Sequence, residues 1–243
     1  MTRWALRGAG AVALALGAAA ACGKLGPDFN QVVAIEVAAP DRVEELDTLR
    51  PQSRALDGRG DAVSAAIAWA TVDTAAFLEV VDTTTGVTAA KRPGTGHLQA
   101  RVGGLRSNLL TVRVLPAADT VFAPGLVRDT VILSTPDSLS DSLGVLLQDT
   151  TATGAVNLTG RPIVFALTIY PAGAGPATLV TSSTAYALVT TDTVVTSAGL
   201  AAVKVRILPG TPPDSVVVQA AATRAVGAPV RGSPVSFVVV VQP

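Results

Sequence analysis

A thiol, an imidazole and a scatter of carboxylates are the side chains from which this chain could build chemistry. The thiol is Cys22, the one cysteine among 243 residues, and it follows Ala19-Ala20-Ala21. A thiolate is a nucleophile and an acyl acceptor, and a lone cysteine forms no internal disulfide. The imidazole is His97, again the one of its kind, which removes most zinc sites and most general-base schemes. It is expected half exposed at the start of a strand, with no functional role. Carboxylates gather twice: Asp137, Asp141 and Asp149 flank one expected strand, and Asp57 and Asp61 bracket a turn. Ca²⁺ takes about six to eight oxygens, but neither set has the D-x-D-x-D-G spacing that closes on an ion, so both read as solvated turn residues. No G-x-S-x-G elbow, H-E-x-x-H pair or phosphate-cradling loop occurs. Gly94-Thr95-Gly96 lacks the third glycine and the helix of a dinucleotide fingerprint and reads as a turn. No catalytic residue, metal ligand or cofactor site is assigned, and the chain is read as no enzyme.

The segment that presents Cys22 begins with Arg3 and Arg7 and continues with an apolar run over residues 8–21. That is the pattern of a secretory signal, and it is shorter than the roughly 20 apolar residues of a membrane span. The small residues before Cys22 resemble the lipobox of bacterial lipoproteins, with Ala19 where leucine is usual. The resemblance implies that residues 1–21 are removed and that Cys22, acylated through sulfur, becomes the first mature residue. Two or three acyl chains, at about 0.8 kcal/mol per buried CH₂, give the long-lived attachment that one does not. Residues 22–31 then form a lipidated tether containing Gly23, Gly26 and Pro27. Gly23 is not the aspartate that resembles an inner-membrane retention signal, so the expected location is the cell envelope, with the outer membrane favoured where one exists.

Charge is balanced at 18 basic and 18 acidic residues; without Arg3 and Arg7 there are 16 basic against 18 acidic, net −2. That balance argues against nucleic acid as a partner. Charged residues make up only 15% of the chain, while valine, threonine, alanine and leucine dominate, which favours strands over solvent-exposed helices. With no disulfide, stability must come from core burial at roughly 1.5–3 kcal/mol per large apolar side chain.

From Val32 onward, short alternating runs are separated by turn clusters every 8–12 residues or so, the pattern of a β-sandwich. Strands are expected near residues 33–38, 49–56, 65–70, 77–81, 86–90, 97–102 and 109–115. Leu110, Val112 and Val114 share one face of the last of these, with Thr111 and Arg113 opposite. Ala117-Ala118-Asp119 reads as a hinge into a second unit. The uniformly apolar Val238-Val239-Val240-Val241 is expected to be central or covered, since an exposed edge of that kind templates aggregation. Asn157-Leu158-Thr159 matches a glycosylation sequon and reads as a turn.

Two resemblances follow from these runs. Ala68-Trp69-Ala70-Thr71-Val72-Asp73, then Gly86-Val87-Thr88-Ala89, then Gly94-Thr95-Gly96 and a closing strand resemble the group 2 bacterial Ig-like domains over residues 32–116. Trp69 is the expected core plug of that sandwich. A strand ending in Asp149, the run Arg161-Pro162-Ile163-Val164-Phe165, the turn Ser197-Ala198-Gly199 and the segment Pro234-Val235-Ser236-Phe237 resemble the group 1, invasin-type domains over residues 137–243. Residues 117–136 are left as a linker or first-strand region. The expected class is therefore all-β, two Ig-like β-sandwich domains in series behind a lipoprotein signal.

The resemblance implies a non-enzymatic surface module, structural or adhesive, held to the membrane through its acyl chains and facing an unidentified protein or glycan partner. A carbohydrate-binding accessory lipoprotein is the alternative. Such a protein depends on aromatic platforms, for which the mature chain offers Trp69, Tyr170 and Tyr186 beside five phenylalanines.

Overall fold

Val43, Leu98, Val112 and Trp69 meet in one apolar cluster, and Phe165, Phe237, Ile163 and Leu143 meet in another. The computed structural model describes residues 29–73, 75–133, 138–150, 154–181 and 188–242, and every regular element among them is a strand. Cys22, with the whole signal, lies outside the described residues, as do Asp137 and Tyr186.

Around the first cluster run β1 (Ala34–Ala38), β2 (Arg42–Glu44), β3 (Thr48–Leu49), β4 (Gln52–Leu56), β5 (Ala62–Val63), β6 (Ala68–Thr71), β7 (Leu78–Val80), β8 (Thr88–Ala90), β9 (Gly94–Val102), β10 (Leu105–Arg106) and β11 (Leu110–Leu115). Around the second run β12 (Thr120–Phe122), β13 (Arg128–Ile132), β14 (Leu143–Asp149), β15 (Val156–Asn157), β16 (Pro162–Tyr170), β17 (Ala177–Val180), β18 (Thr191–Val195), β19 (Leu200–Ile207), β20 (Ser215–Ala222) and β21 (Val235–Gln242). Each set folds into facing sheets with the cluster between them, so the chain is all-β with two sandwiches in series. Strand periodicity of two explains why: in β14 and β20 alternate residues are buried, and the others face outward.

The two sandwiches open in the same way. β1 pairs antiparallel with β4, and the chain then crosses so that β2 pairs parallel with β11, the last strand of its unit. In the second unit β12 pairs antiparallel with β14, and β13 pairs parallel with β21. Both strands of residues 117–136 thus belong to the second sandwich's sheets. β21 lies between β20 and β13, which covers the four consecutive valines on both hydrogen-bonding sides, as expected.

One expected turn is strand. Gly94, Thr95 and Gly96 open β9. The glycines serve close approach: a Cβ on Gly96 would lie 2.7 Å from a Leu78 methyl, and one on Gly94 would lie 2.3 Å from the Phe77 ring. His97 consequently sits inside β9 and not at its start. β10 and β11 form one return strand after β9, interrupted by a bulge at Ser107, whose N–H donates to Ala100 O while its Oγ accepts from Ala100 N.

Candidate functional site at the joint of the two sandwiches

Glu44 ends β2, and its side chain is completely buried although it carries a charge. Alternation dictates its direction: Val43 enters the core, so Arg42 and Glu44 point to the other side of the sheet. There the second sandwich closes over Glu44. Arg161, just before β16, places Nη1 2.9 Å from Glu44 Oε1, and Arg224, just after β20, places Nε 3.2 Å from Oε2. Two backbone N–H groups complete the set, Ala118 to Oε2 at 2.8 Å and Ala225 to Oε1 at 3.1 Å. Oε1 thus accepts one guanidinium and one amide hydrogen bond, and Oε2 accepts one amide bond beside the Arg224 charge, so the buried carboxylate is both hydrogen-bonded and paired.

The two arginines reach further. Arg161 Nη2 donates to Pro116 O at 2.6 Å. Arg224 Nε lies 3.1 Å from Asp47 Oδ2, its Nη2 donates to Glu45 O, and its Nη1 stands 3.8 Å from Asp119. Glu45 faces the same joint and accepts from the Ala117 N–H. Burial of Glu45 raises its carboxyl above the ordinary value; the Ala117 bond opposes this, and the neighbouring Asp149 and Asp119 charges add to the rise.

Ala117-Ala118-Asp119, expected to be a hinge, is pinned. Ala117 is fully buried and Ala118 nearly so. Asp119 donates its N–H to Gln148 O and accepts from both N–H and Oγ1 of Thr150. The connection is part of the joint because its three N–H groups are each held, those of Ala117 and Ala118 by carboxylates of the first sandwich and that of Asp119 by a carbonyl of the second.

The residues singled out from the sequence fall elsewhere. His97 Nδ1 lies 2.7 Å from Asp73 Oδ2 at the sheet surface. Asp57 accepts the N–H groups of Arg59 and Asp61, closing its own turn, and the Arg59 bond is the first cause holding its carboxyl below the ordinary value. Asp141 and Asp149 stand at opposite ends of β14, so they share no site. Among the described residues no group of three His, Cys, Asp or Glu is placed to hold a metal. Trp69 is buried in the first core, as expected of a plug, and Tyr170 is exposed at the end of β16. Asn157 is in β15 and Leu158 is buried. Glu44, Arg161 and Arg224 were not expected. Their one sequence signal is charge at strand ends in a chain that carries little of it.

No family model matches the chain, and no curated protein matches it in sequence. Among solved structures, domains 4 and 5 of the S-layer protein SbsC align with 88% of this chain and 100% of their own, at 15% identity and TM-score 0.32. The D00-D0 domain of intimin covers 86% of this chain and 100% of its own, at 16% identity and TM-score 0.29. The fibronectin(III)-like modules of Clostridium thermocellum CbhA cover 85% and 94%, at 13% identity and TM-score 0.37. Scores of this size carry no functional assignment.

Proposed function

We propose that this chain is a non-catalytic module of the cell envelope, structural or adhesive, exported and held to a membrane through acyl chains on Cys22. It acts as a stiff stalk of two Ig-like sandwiches, one group 2-like and one invasin-like, that carries a binding surface away from the bilayer. The observation behind this reading is the Glu44 joint. A buried carboxylate shared by two arginines from the opposite unit is costly to expose and specific in geometry, so it favours one inter-sandwich angle. A catalytic cleft between units gains from motion, whereas a spacer gains from a fixed angle. The aromatic-platform alternative finds less support, because Trp69 is core and unavailable for stacking.

Paired spin labels at exposed Ala62 and Ser236, one on each sandwich, test the reading. A narrow distance distribution in the unmodified protein that broadens in Glu44→Ala supports the stiff stalk. A broad distribution in the unmodified protein sinks it.

A further inference from the structure

The outward face of the first sandwich carries a pair of arginines at each end. In β9 the residues Gly96, Leu98 and Ala100 point inward, so Thr95, His97, Gln99 and Arg101 point outward. Arg106 stands directly opposite Arg101. On the same return strand Arg113 stands opposite Thr95, and across the next strand boundary it faces Arg42. All four arginines are exposed. Like charges directly opposite on neighbouring strands destabilise a sheet, with Cβ atoms only about 4.5–5.5 Å apart, inside the roughly 8 Å over which physiological salt screens. An anion lying across such a pair turns that cost into attraction.

Among the described residues, Asp41 alone of the carboxylates nearby is ion-paired with one of the four, Arg42, and an exposed pair of that kind is weak and open to exchange. Asp41 lies 3.4 Å from Arg42, with both side chains largely exposed. Asp73 is engaged with His97, and Glu44 is buried between Arg161 and Arg224. Each arginine pair also borders a cleft. Arg101 and Arg106 line one of about 250 Å³ with Gln99, Ala70, Thr71 and Val72. Arg42 and Arg113 line one of about 780 Å³ at the joint, with Asp149, Asn157 and Thr159 along its wall. From Thr95, beside Arg113, to Arg101 is six residues of β9, or about 20 Å.

We infer that this face binds an extended anionic polysaccharide, whose sulfate, phosphate or carboxylate groups occupy the two arginine pairs while Thr95, Gln99 and Thr111 between them meet sugar hydroxyls. Guanidinium forks bind such oxyanions bidentately. A small anion fills one pair but does not bridge both, so the spacing selects a polymer. Single-stranded nucleic acid calls for aromatic stacking platforms, and Trp69, the aromatic of this sheet's strands, is buried. A lipid surface calls for a large inserting apolar face, whereas the centre of this one is threonine and glutamine. The inference rests on the adhesive reading and gives it a partner class.

The test measures retention of the full mature chain on immobilised dextran sulfate against uncharged dextran. Retention on the sulfated polymer alone is expected. Arg101→Gln with Arg106→Gln, and Arg42→Gln with Arg113→Gln, should each weaken binding about tenfold, and all four together should abolish it. The charge-matched Arg50→Gln with Arg92→Gln should bind as the unmodified protein does. Thermal midpoints of the first two double variants should hold or rise, since each removes a like-charge pair, which separates lost binding from lost fold. Equal loss in the charge-matched variant, undiminished binding in the quadruple variant, or tighter capture of DNA or anionic vesicles by the same arginines would overturn the inference. Adhesion to intact cells and envelope fragments is scored in parallel. A quadruple variant that adheres normally removes the polysaccharide and leaves the adhesive reading standing, whereas dextran sulfate binding without adhesion does the reverse.

Discussion

Arg161 Nη1 stands 2.9 Å from Glu44 Oε1 across 117 residues of chain. Neither group faces solvent freely: the glutamate is wholly buried, and the arginine side chain retains 12% exposure. An ion pair so placed contributes less through attraction than through the cost of separating it, because each charge would stay in a desolvated site without its partner. The same reasoning holds for Arg224, which shares Glu44 and also touches Asp47. The joint therefore couples the fates of the two sandwiches.

Replacing Glu44 with alanine leaves two guanidinium groups facing one another with one fewer counter-charge. A loss of about 3 kcal/mol of joint stability is expected. In calorimetry, one cooperative unfolding transition should separate into two. A single transition at the original temperature would show that the units are not coupled through this residue.

Acid and base act on different parts of the molecule. Asp57 and Asp82 have carboxyls held low, Asp57 first by the Arg59 N–H and Asp82 first by the Thr85 hydroxyl. Their contribution is present above the ordinary aspartate range and is lost as pH falls through their lowered folded values. Glu45 has the opposite sign. Its raised carboxyl, caused first by burial, binds a proton more readily in the folded state, so stability falls as pH rises from the unfolded glutamate value through the folded one. Glu45→Gln should therefore raise the thermal midpoint at neutral pH and leave it unchanged at strongly acid pH. Asp57→Asn should lower the neutral midpoint and converge with the unmodified protein in acid. Parallel displacement of either curve across the whole pH range would contradict these assignments.

Trp69→Ala should cost about 3–5 kcal/mol, the usual range for deleting a buried aromatic, and the loss should fall on the first sandwich. Gly86→Ala should act at the same spot. Gly86 has φ +76°, and a Cβ there would stand 2.7 Å from the Trp69 indole, so both backbone strain and a clash follow. Far-ultraviolet circular dichroism on denaturant titration reads both variants; an unshifted midpoint in Gly86→Ala would show that the indole has room to move.

Cys22→Ser should abolish incorporation of labelled fatty acid and release the protein from the membrane fraction. Undiminished labelling in this variant would remove Cys22 as the anchor.

How far the fold was legible follows from which signals are local. Alternation within one strand is local, so Val112 and Val114 could be placed inward and Arg113 outward before any pairing was known, and β11 has that pattern. Trp69 was legible because a large aromatic in a short apolar run has one comfortable place in a small sandwich. Gly94 and Gly96 misled because glycine marks a turn and a close approach with the same letter, and only the positions of Phe77 and Leu78 separate the two. Ala117-Ala118-Asp119 misled similarly: small residues after a proline suit a hinge, but they also suit tight packing. Glu44 was beyond reach, since its partners come from strand ends far along the chain and nothing near it in sequence announces them.

The parallel pairing of each sandwich's second strand with its closing strand has a mechanical meaning. Because β13 and β21 run in the same direction, the chain enters that pair at one pole and leaves it at the other. Tension applied to the two ends slides the strands past each other, so the rungs over the five matched positions from Arg128 opposite Val238 to Ile132 opposite Gln242 take the load together and do not unzip one by one. β2 and β11 present the same shear geometry in the first unit, which makes the molecule best suited to being pulled along its length.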